Sequence, residues 1–478
     1  MAAISQENGL GARGSTRNDA SLSADRRAAP VLMTARIGCR LPTDGADVDD
    51  FWTGRNIGEA QRRANIEIAS KGVGSAHAWD ITGKPSDRDS ACESNAQRSC
   101  IIRPMKLMST RLVASLVVLA ACGALGVADA VVRGAGLADP AEWNPKTAAA
   151  YLDSRATFWA TWSNAQRDHG TFCISCHTTL PFAIARPALR DVLGEKAPGV
   201  AESKIFDNLM TRARGHKDME PFYPDQTRGI PKTSESRAIE SVMNALVLVT
   251  RDRESGHLSA DSTTALKMMW SLQMKTGPQN GAWTWLNFGY EPFESPNSAY
   301  FGASMAALAI GTAPEDYASN ADIQDNLKNL RSYFQREFDK QSELNKLMVL
   351  WASGRVGGLI TPEQKSALLD QTFAMQMTDG GWSTAAIGNY KRQDGSAIDT
   401  NSDGYATALA TLALQSGGVP SSDARVKRGL DWLRHHQSPT GQWVATSPNK
   451  QRDPASEPAK FMSDAATALA VLSLTHAK

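Results

Sequence analysis

One short stretch of this chain carries residue types whose spacing could hold a redox cofactor. Two residues separate Cys173 from Cys176, and His177 follows the second cysteine directly. Two thiols at this spacing can form thioether bonds to the two vinyl groups of one porphyrin, and the adjacent imidazole is then placed to ligate the iron. The pentapeptide therefore predicts the covalent attachment of one haem c, with His177 as an axial ligand.

Other uses of paired cysteines fit the sequence less well, and one of them stays open. A zinc ribbon requires a second pair of ligands, and the sequence has no second C-x-x-C. A thioredoxin-type dithiol requires a βαβ setting, which the neighbouring residues do not indicate. A structural disulfide between Cys173 and Cys176 is the remaining alternative, because the predicted compartment is oxidising.

The second axial ligand of such an iron is less well marked. Met219 is the best distal candidate by position, with His216 and His169 behind it. Residues 143–224 are rich in aromatic side chains, and flat apolar groups suit a porphyrin face. If no second side chain ligates the iron, its open site favours small-molecule or peroxide chemistry over electron transfer.

Residues 105–130 have the layout of a secretory signal peptide. A basic start is followed by an apolar core over residues 112–121 and by an A-x-A cleavage site at residues 128–130. Residues 119–122 also resemble a bacterial lipobox, in which Cys122 would be lipidated. We therefore expect a periplasmic or secreted protein, with a lipid anchor to the cell envelope as the alternative.

The segment before this signal, residues 1–104, shows little periodic apolar pattern. It is predicted to be either disordered or the product of an over-extended start, with translation beginning at Met105 or Met108. Of the six cysteines, those that follow the cleavage site are the two of the haem motif. The formal net charge is +1 and no long basic run occurs, which argues against nucleic acid as a partner.

The second half of the chain repeats itself. Segments 301–310, 405–414 and 465–474 align without a gap, and each has small residues with bulky ones at intervals of three and four. Segments 342–351 and 239–248 are more divergent copies. About five helical pairs follow, with a sixth available from the haem region, and such periods indicate a helical array or a closed toroid.

A turn motif accompanies these repeats. Arg428-Gly429, Trp432-Leu433, Gln437 and Gly441-Gln442-Trp443 match the QW motif at every fixed position, and partial copies are Gln376 with Trp382 and Gln273 with Trp283. Residues 236–478 thus resemble the terpenoid cyclase and protein prenyltransferase superfamily, in particular the squalene–hopene cyclases. The resemblance implies an all-α fold, an (α/α) toroid, with residues 131–235 as a small helical haem-binding segment ahead of it. We expect the glutamines to bind exposed groups at helix ends.

The resemblance does not bring the family's catalytic groups with it. Cyclases that protonate an alkene carry a D-x-D-D motif, and the one match, Asp47 to Asp50, precedes the predicted signal peptide. Asp399, Asp403 and Asp464 stand near the starts of predicted helices, where aspartate more often caps the helix. The zinc of the prenyltransferases requires a cysteine, and none follows Cys176.

These observations favour an exported c-type haem protein with a terpenoid-cyclase-like toroid. Its role would be electron transfer with a redox partner protein, or haem-dependent oxidation of an apolar small molecule held in the toroid. Two alternatives stay open: an isoprenoid cyclase or isomerase in which the haem motif is incidental, and a binding scaffold without catalysis. Phe301, Tyr405, Trp351 and Trp285 either line a central cavity or belong to the core.

Overall fold

A computed structural model describes residues 143–225 and 232–476 of the chain. This part is built from α-helices with short 3-10 turns, and it contains no β-strand. The fold is therefore all-α, as predicted. The predicted signal peptide, Cys122 and Asp47 to Asp50 lie outside the described residues. Within the described part, no helix combines the length and apolarity needed to cross a membrane.

The described helices alternate between an outer and an inner layer. The outer helices are α1 (Pro145–Thr161), α3 (Val200–Gly215), α5 (Ala260–Ser271), α7 (Gln324–Glu337), α9 (Pro362–Ala374) and α12 (Ala424–His435). The inner helices are α2 (Thr179–Leu193), α4 (Thr233–Asp252), α6 (Ser298–Thr312), α8 (Glu343–Ser353), α11 (Gly404–Ser416) and α13 (Glu457–His476). One short helix, α10 (Thr384–Gly388), lies between α9 and α11.

The six inner helices form a closed ring. Each packs against two others, in the order α2, α4, α6, α8, α11, α13 and back to α2. They run in the same direction, because residues from the C-terminal halves of all six line the cavities at one end of the ring. The described part of the chain is thus an (α/α) toroid of six helix pairs.

Residue size explains which helices lie inside. In α6 and α11 nearly every residue is buried, and most residues in both are Ala, Ser, Thr or Gly. Small side chains let helices approach closely on two sides, so a helix that is apolar all round becomes an inner one. The outer helix α12 instead buries one face, with Val426, Leu430 and Leu433, and carries its charged residues on the other.

The ring extends beyond the boundary predicted at residue 236. Helices α1 to α3 come from the segment predicted to lie ahead of the toroid, and α2 closes the ring between α13 and α4. Arg155 of α1 is held by a salt bridge to Asp464 of α13, with 2.8 Å between Nε and Oδ1. The haem-motif segment is therefore an integral helix pair of the ring.

The three QW turns fasten neighbouring outer helices to one another, which confirms the expected role of their glutamines. Gln273 donates to the carbonyl of Asn326 in α7 at 2.9 Å, and Gln376 donates to that of Arg425 in α12 at 2.8 Å. Gln437 accepts from the backbone N–H of Asn144 at 2.6 Å and donates to its carbonyl at 3.1 Å. Since Asn144 caps α1, this last turn joins the final repeat to the first.

Candidate functional site

The Cys173 to His177 loop forms the N-terminal cap of the inner helix α2. The hydroxyl of Ser175 accepts hydrogen bonds from the backbone N–H groups of Thr178 and Thr179, both at 3.1 Å. The indole of Trp159 donates to the carbonyl of Cys173 at 2.7 Å. The two bonds to Ser175 satisfy backbone N–H groups that the start of a helix leaves without partners. The motif is therefore fixed at the end of the ring where the inner helices begin.

Both thiols are buried and free. Cys173 is 4% exposed and Cys176 is 5% exposed, and neither forms a disulfide. Burial raises the pKa of both thiols, that of Cys176 strongly, with Glu294 adding to the shift at Cys176. These two thiols are therefore protonated at neutral pH, and they lie close enough to interact electrostatically.

The imidazole of His177 is oriented by a chain of hydrogen bonds. Its Nδ1 lies 2.9 Å from Oγ1 of Thr178, and that hydroxyl donates to Oδ2 of Asp464 at 2.7 Å. Because the single hydroxyl proton of Thr178 goes to Asp464, its oxygen must accept from an Nδ1–H. We therefore assign the proton of the neutral ring to Nδ1, which leaves the lone pair on Nε2 for a metal.

Asp464 anchors this chain inside the ring. Its other oxygen accepts from Nε of Arg155 at 2.8 Å and from the hydroxyl of Tyr151 at 2.7 Å. Burial raises the pKa of Asp464, and Arg155 and the donated hydrogen bonds oppose that shift. For His177, burial lowers the pKa to about 3, with Arg155 and Arg452 adding to the effect. The imidazole is thus neutral at physiological pH, the form that ligates metals.

Aromatic rings surround His177. Phe461 stacks on the imidazole with ring centroids 4.0 Å apart, and Trp159 contacts it edge-on at 5.1 Å. Phe293 lies at 6.2 Å. These contacts hold the plane of the ring in place, as a fixed ligand requires.

A pocket opens beside His177 at this end of the ring. Its lining combines aromatic and charged side chains with one methionine, namely His177, Tyr290, Glu291, Phe293, Glu294, Ser447, Asn449, Arg452, Pro458, Phe461 and Met462. The cavity measures about 70 Å³ and opens to solvent. This volume lies below the usual range of sites that enclose small organic ligands.

The distal candidates named from the sequence do not line this pocket. Met219 packs against Gly215 at the end of α3, and His216 is buried nearby. His169 is exposed and bonds Asp168. Met462, which the sequence analysis did not single out, lines the pocket together with His177. The local sequence around Met462 does not indicate this, because only the closed ring brings α13 beside α2.

The donor set fits a haem c. The motif supplies two reduced thiols, an imidazole whose Nε2 is the free nitrogen, and a network that fixes its tautomer. The pocket adds Met462 and Arg452, a thioether and a guanidinium. The cavity of about 70 Å³ is too small to enclose a porphyrin, so the cofactor would lie at its open mouth.

Two of the aspartates near the inner helices are structural. Asp403 caps α11, accepting from the N–H groups of Tyr405 and Ala406, and also binds Thr384. Asp399 is exposed and accepts from the N–H of Asn401, so it stabilises a turn ahead of α11 and does not cap the helix as expected. Asp464 departs from the capping expectation, since it lies within α13 and binds Arg155 and Thr178. Glu291 is the carboxyl in the pocket whose pKa burial raises, with Ser295 opposing the shift.

Comparison with known proteins gives one matching family model. The squalene-hopene cyclase C-terminal domain matches residues 362–462, which span α9 to the start of α13. No curated protein matches the chain. Among solved structures, the apo type II terpene cyclase MstE from Scytonema is similar at 14% identity, covering 69% of this chain and 98% of its own, with a TM-score of 0.37. The part of the ring from α9 onward is thus similar to a squalene–hopene cyclase domain.

Proposed function

We propose that this chain is an exported protein that carries one covalent haem c at the mouth of a terpenoid-cyclase-like toroid. Its role is electron transfer with a partner protein, or redox chemistry on an apolar small molecule. The observation that carries the proposal is the hydrogen-bond chain from His177 through Thr178 to Asp464. It holds the histidine of a C-x-x-C-H loop in the tautomer that ligates a metal, beside an open pocket.

Each residue has a defined task in this proposal. Cys173 and Cys176 would hold the porphyrin through thioethers, each formed by adding an S–H bond across a vinyl group. His177 would offer Nε2 to the iron, and Met462 would offer its sulfur from the same pocket. Arg452 would supply a positive charge for carboxylate groups of the cofactor. The bound haem would supply one-electron chemistry between ferric and ferrous iron.

Visible absorption of the purified protein tests the proposal. Expression from Met105 together with haem-attachment machinery should give a covalent haem by a pyridine haemochrome assay. The double variant Cys173→Ala, Cys176→Ala should contain none. His435→Ala, which alters an exposed residue of α12, should keep the full haem content.

A matched pair of variants tests the assignment of the second ligand. Met462→Leu should change the spin-state bands of the ferric protein, because a sulfur ligand is lost, whereas Met219→Leu should leave them unchanged. The opposite pattern would restore Met219 as the ligand.

One observation favours a second candidate, an isoprenoid cyclase or isomerase. Glu291 lines the pocket together with Phe293 and Phe461, and burial raises the pKa of its carboxyl above the ordinary value, with Ser295 opposing the shift. A general acid for alkene protonation needs such a group, and aromatic faces stabilise cations. Turnover of isoprenoids by haem-free protein, abolished by Glu291→Gln, would support this candidate. Inactivity of the haem-free wild type would exclude it for the isoprenoids tested.

A further inference from the structure

The opposite end of the ring holds two further cavities. There the C-terminal halves of all six inner helices surround two overlapping cavities of about 370 Å³ and 740 Å³. They share residues from α2, α8 and α13 and from the end of α4, including Asp191, Arg253, Trp351 and Arg355. We call this region the basal bowl. Both volumes lie in the range of small-molecule sites.

The floor of the basal bowl is apolar. Leu246, Leu308 and Trp351 are buried in the ring and line one cavity, and Leu412 lines the other. Apolar walls at least partly enclosed by helices favour a ligand with a hydrocarbon portion.

Two arginines, Arg253 and Arg355, line the basal bowl without forming a salt bridge among the described residues. In the described part of the chain, the guanidinium of Arg355 donates to Oγ1 of Thr312 at 2.7 Å, and neither Arg355 nor Arg253 forms an ion pair. Glu254 also lines one of the cavities, but its carboxylate is engaged by Arg190. Partial desolvation of its guanidinium lowers the pKa of Arg355 to about 10, and the charge of Arg253 contributes. Two like charges thus share the cavities without an ion-pair partner among the described residues.

Other groups that face the bowl oppose an excess of positive charge. The C-terminal carbonyls of the inner helices carry partial negative charge, and Asp191 adds a full one. His476 also lines it, and burial together with Arg355 lowers the pKa of this histidine, so it adds no charge at neutral pH. The helix effect falls off within the last turn, whereas both guanidinium groups carry full charges.

We propose that the basal bowl binds a small amphipathic anion, whose apolar chain lies on Trp351 and the leucines and whose carboxylate or phosphate head binds Arg253 and Arg355. A guanidinium fork matches the paired oxygens of either head. This site lies at the end of the ring opposite to His177, and it does not depend on haem attachment.

Calorimetric titration with three eight-carbon probes tests the proposal. Octanoate and octyl phosphate carry the two anionic heads, and octanol has the same chain without charge. One or both anions should bind at one site per chain, and octanol should bind at least tenfold more weakly, since charge-assisted hydrogen bonds are lost. The tighter of the two anions identifies the head group that the site prefers.

Variants distinguish this site from nonspecific binding. Arg253→Gln and Arg355→Gln should each weaken anion binding about tenfold or more. Arg214→Gln, on the exposed face of α3, should leave it unchanged. Circular dichroism should show all three variants folded, because Arg253, Arg355 and Arg214 are exposed. Equal binding of octanol, no binding by either anion, or full affinity in Arg253→Gln would mean that the arginines only neutralise helix ends.

Discussion

At the scale of single residues, the hydroxyl of Thr178 determines which nitrogen of His177 carries the proton. The hydroxyl donates to Asp464 and accepts from Nδ1–H, so the orientation of this imidazole is set by an aspartate that is distant in the sequence. Partners of this kind tune the electron density that a histidine gives to its metal. The tuning is open to measurement because Thr178 itself is not predicted to touch the iron.

Thr178→Val should raise the reduction potential of the proposed haem. The variant removes the hydrogen-bond acceptor for Nδ1–H. His177 then donates less electron density to the iron, so ferric iron is stabilised less. A tenfold change in relative stability corresponds to about 59 mV for one electron, and we expect a shift of that order. Redox titration followed by absorbance measures it. Thr178→Ser keeps the hydroxyl and should restore the wild-type potential; an unchanged potential in the valine variant would contradict the assigned hydrogen-bond chain.

His216 should make stability depend on pH. Burial, together with Arg237, Arg212 and Lys217, lowers the pKa of His216 to about 4, below the ordinary value of 6.5. The unfolded chain therefore binds the proton more readily, and stability that is present above pH 6.5 is lost as the pH falls towards 4. The loss attributable to this group should be at most about 3 kcal/mol. Urea unfolding at several pH values should show a shallower decline for His216→Gln, and an identical decline would contradict this origin.

At the scale of elements, the QW turns work as fasteners because a glycine lets two backbones meet. Gly441 has a φ of 98°, and a Cβ there would lie 2.1 Å from the carbonyl oxygen of Thr147 in α1. Gly281 repeats the arrangement in the first QW turn. Its φ is 101°, and a Cβ there would lie 2.2 Å from the carbonyl oxygen of Asn329 in α7. The same turn thus sets the spacing of successive outer helices.

Gly441→Ala should destabilise the protein by about 3 kcal/mol, since it adds a steric clash to backbone strain. Gly418→Ala is the matched control, because Gly418 has a φ of 89° and no atom within 4 Å of the added carbon. That variant should lose only ~1 kcal/mol. Chemical denaturation of both proteins measures the difference, and equal losses would show that close approach to α1 is unimportant.

The QW turns and the inner helices could be predicted from the sequence, but the elements that they contact could not. The spacing of Gln437 and Trp443 predicts a fastener, and the small residues of segment 405–414 predict an inner helix. Both predictions depend on local pattern. The partners of each turn could not be predicted, because Asn144 lies far from Gln437 along the chain and meets it only after the ring closes. Met462 was missed as a pocket residue for the same reason.

At the scale of the whole molecule, the ring makes the haem motif part of the toroid. The boundary predicted at residue 236 followed the visible repeats, which fade in α1 to α3. The structure closes the ring through α2, whose sequence lacks the small-residue repeat but whose faces contact both α13 and α4. Repeat architectures bury their apolar faces only against neighbouring repeats.

Truncation tests this closure. A protein that starts at residue 131 retains all six helix pairs and should unfold cooperatively. One that starts at residue 236 lacks α1, α2 and α3, which exposes the apolar faces of α4 and α13, and it should aggregate or remain unfolded. Circular dichroism and size-exclusion chromatography compare the two. A soluble, cooperatively unfolding protein from residue 236 would show that the toroid is complete without the haem-motif segment.

The central claim is that Cys173 and Cys176 carry a haem at the mouth of this ring, and intact-protein mass spectrometry tests it most directly. Protein expressed with haem-attachment machinery should have the mass of the processed chain plus one haem, and the peptide that contains residues 173–177 should carry the added mass. The polypeptide mass alone, with both thiols free or joined in a disulfide, would contradict the account.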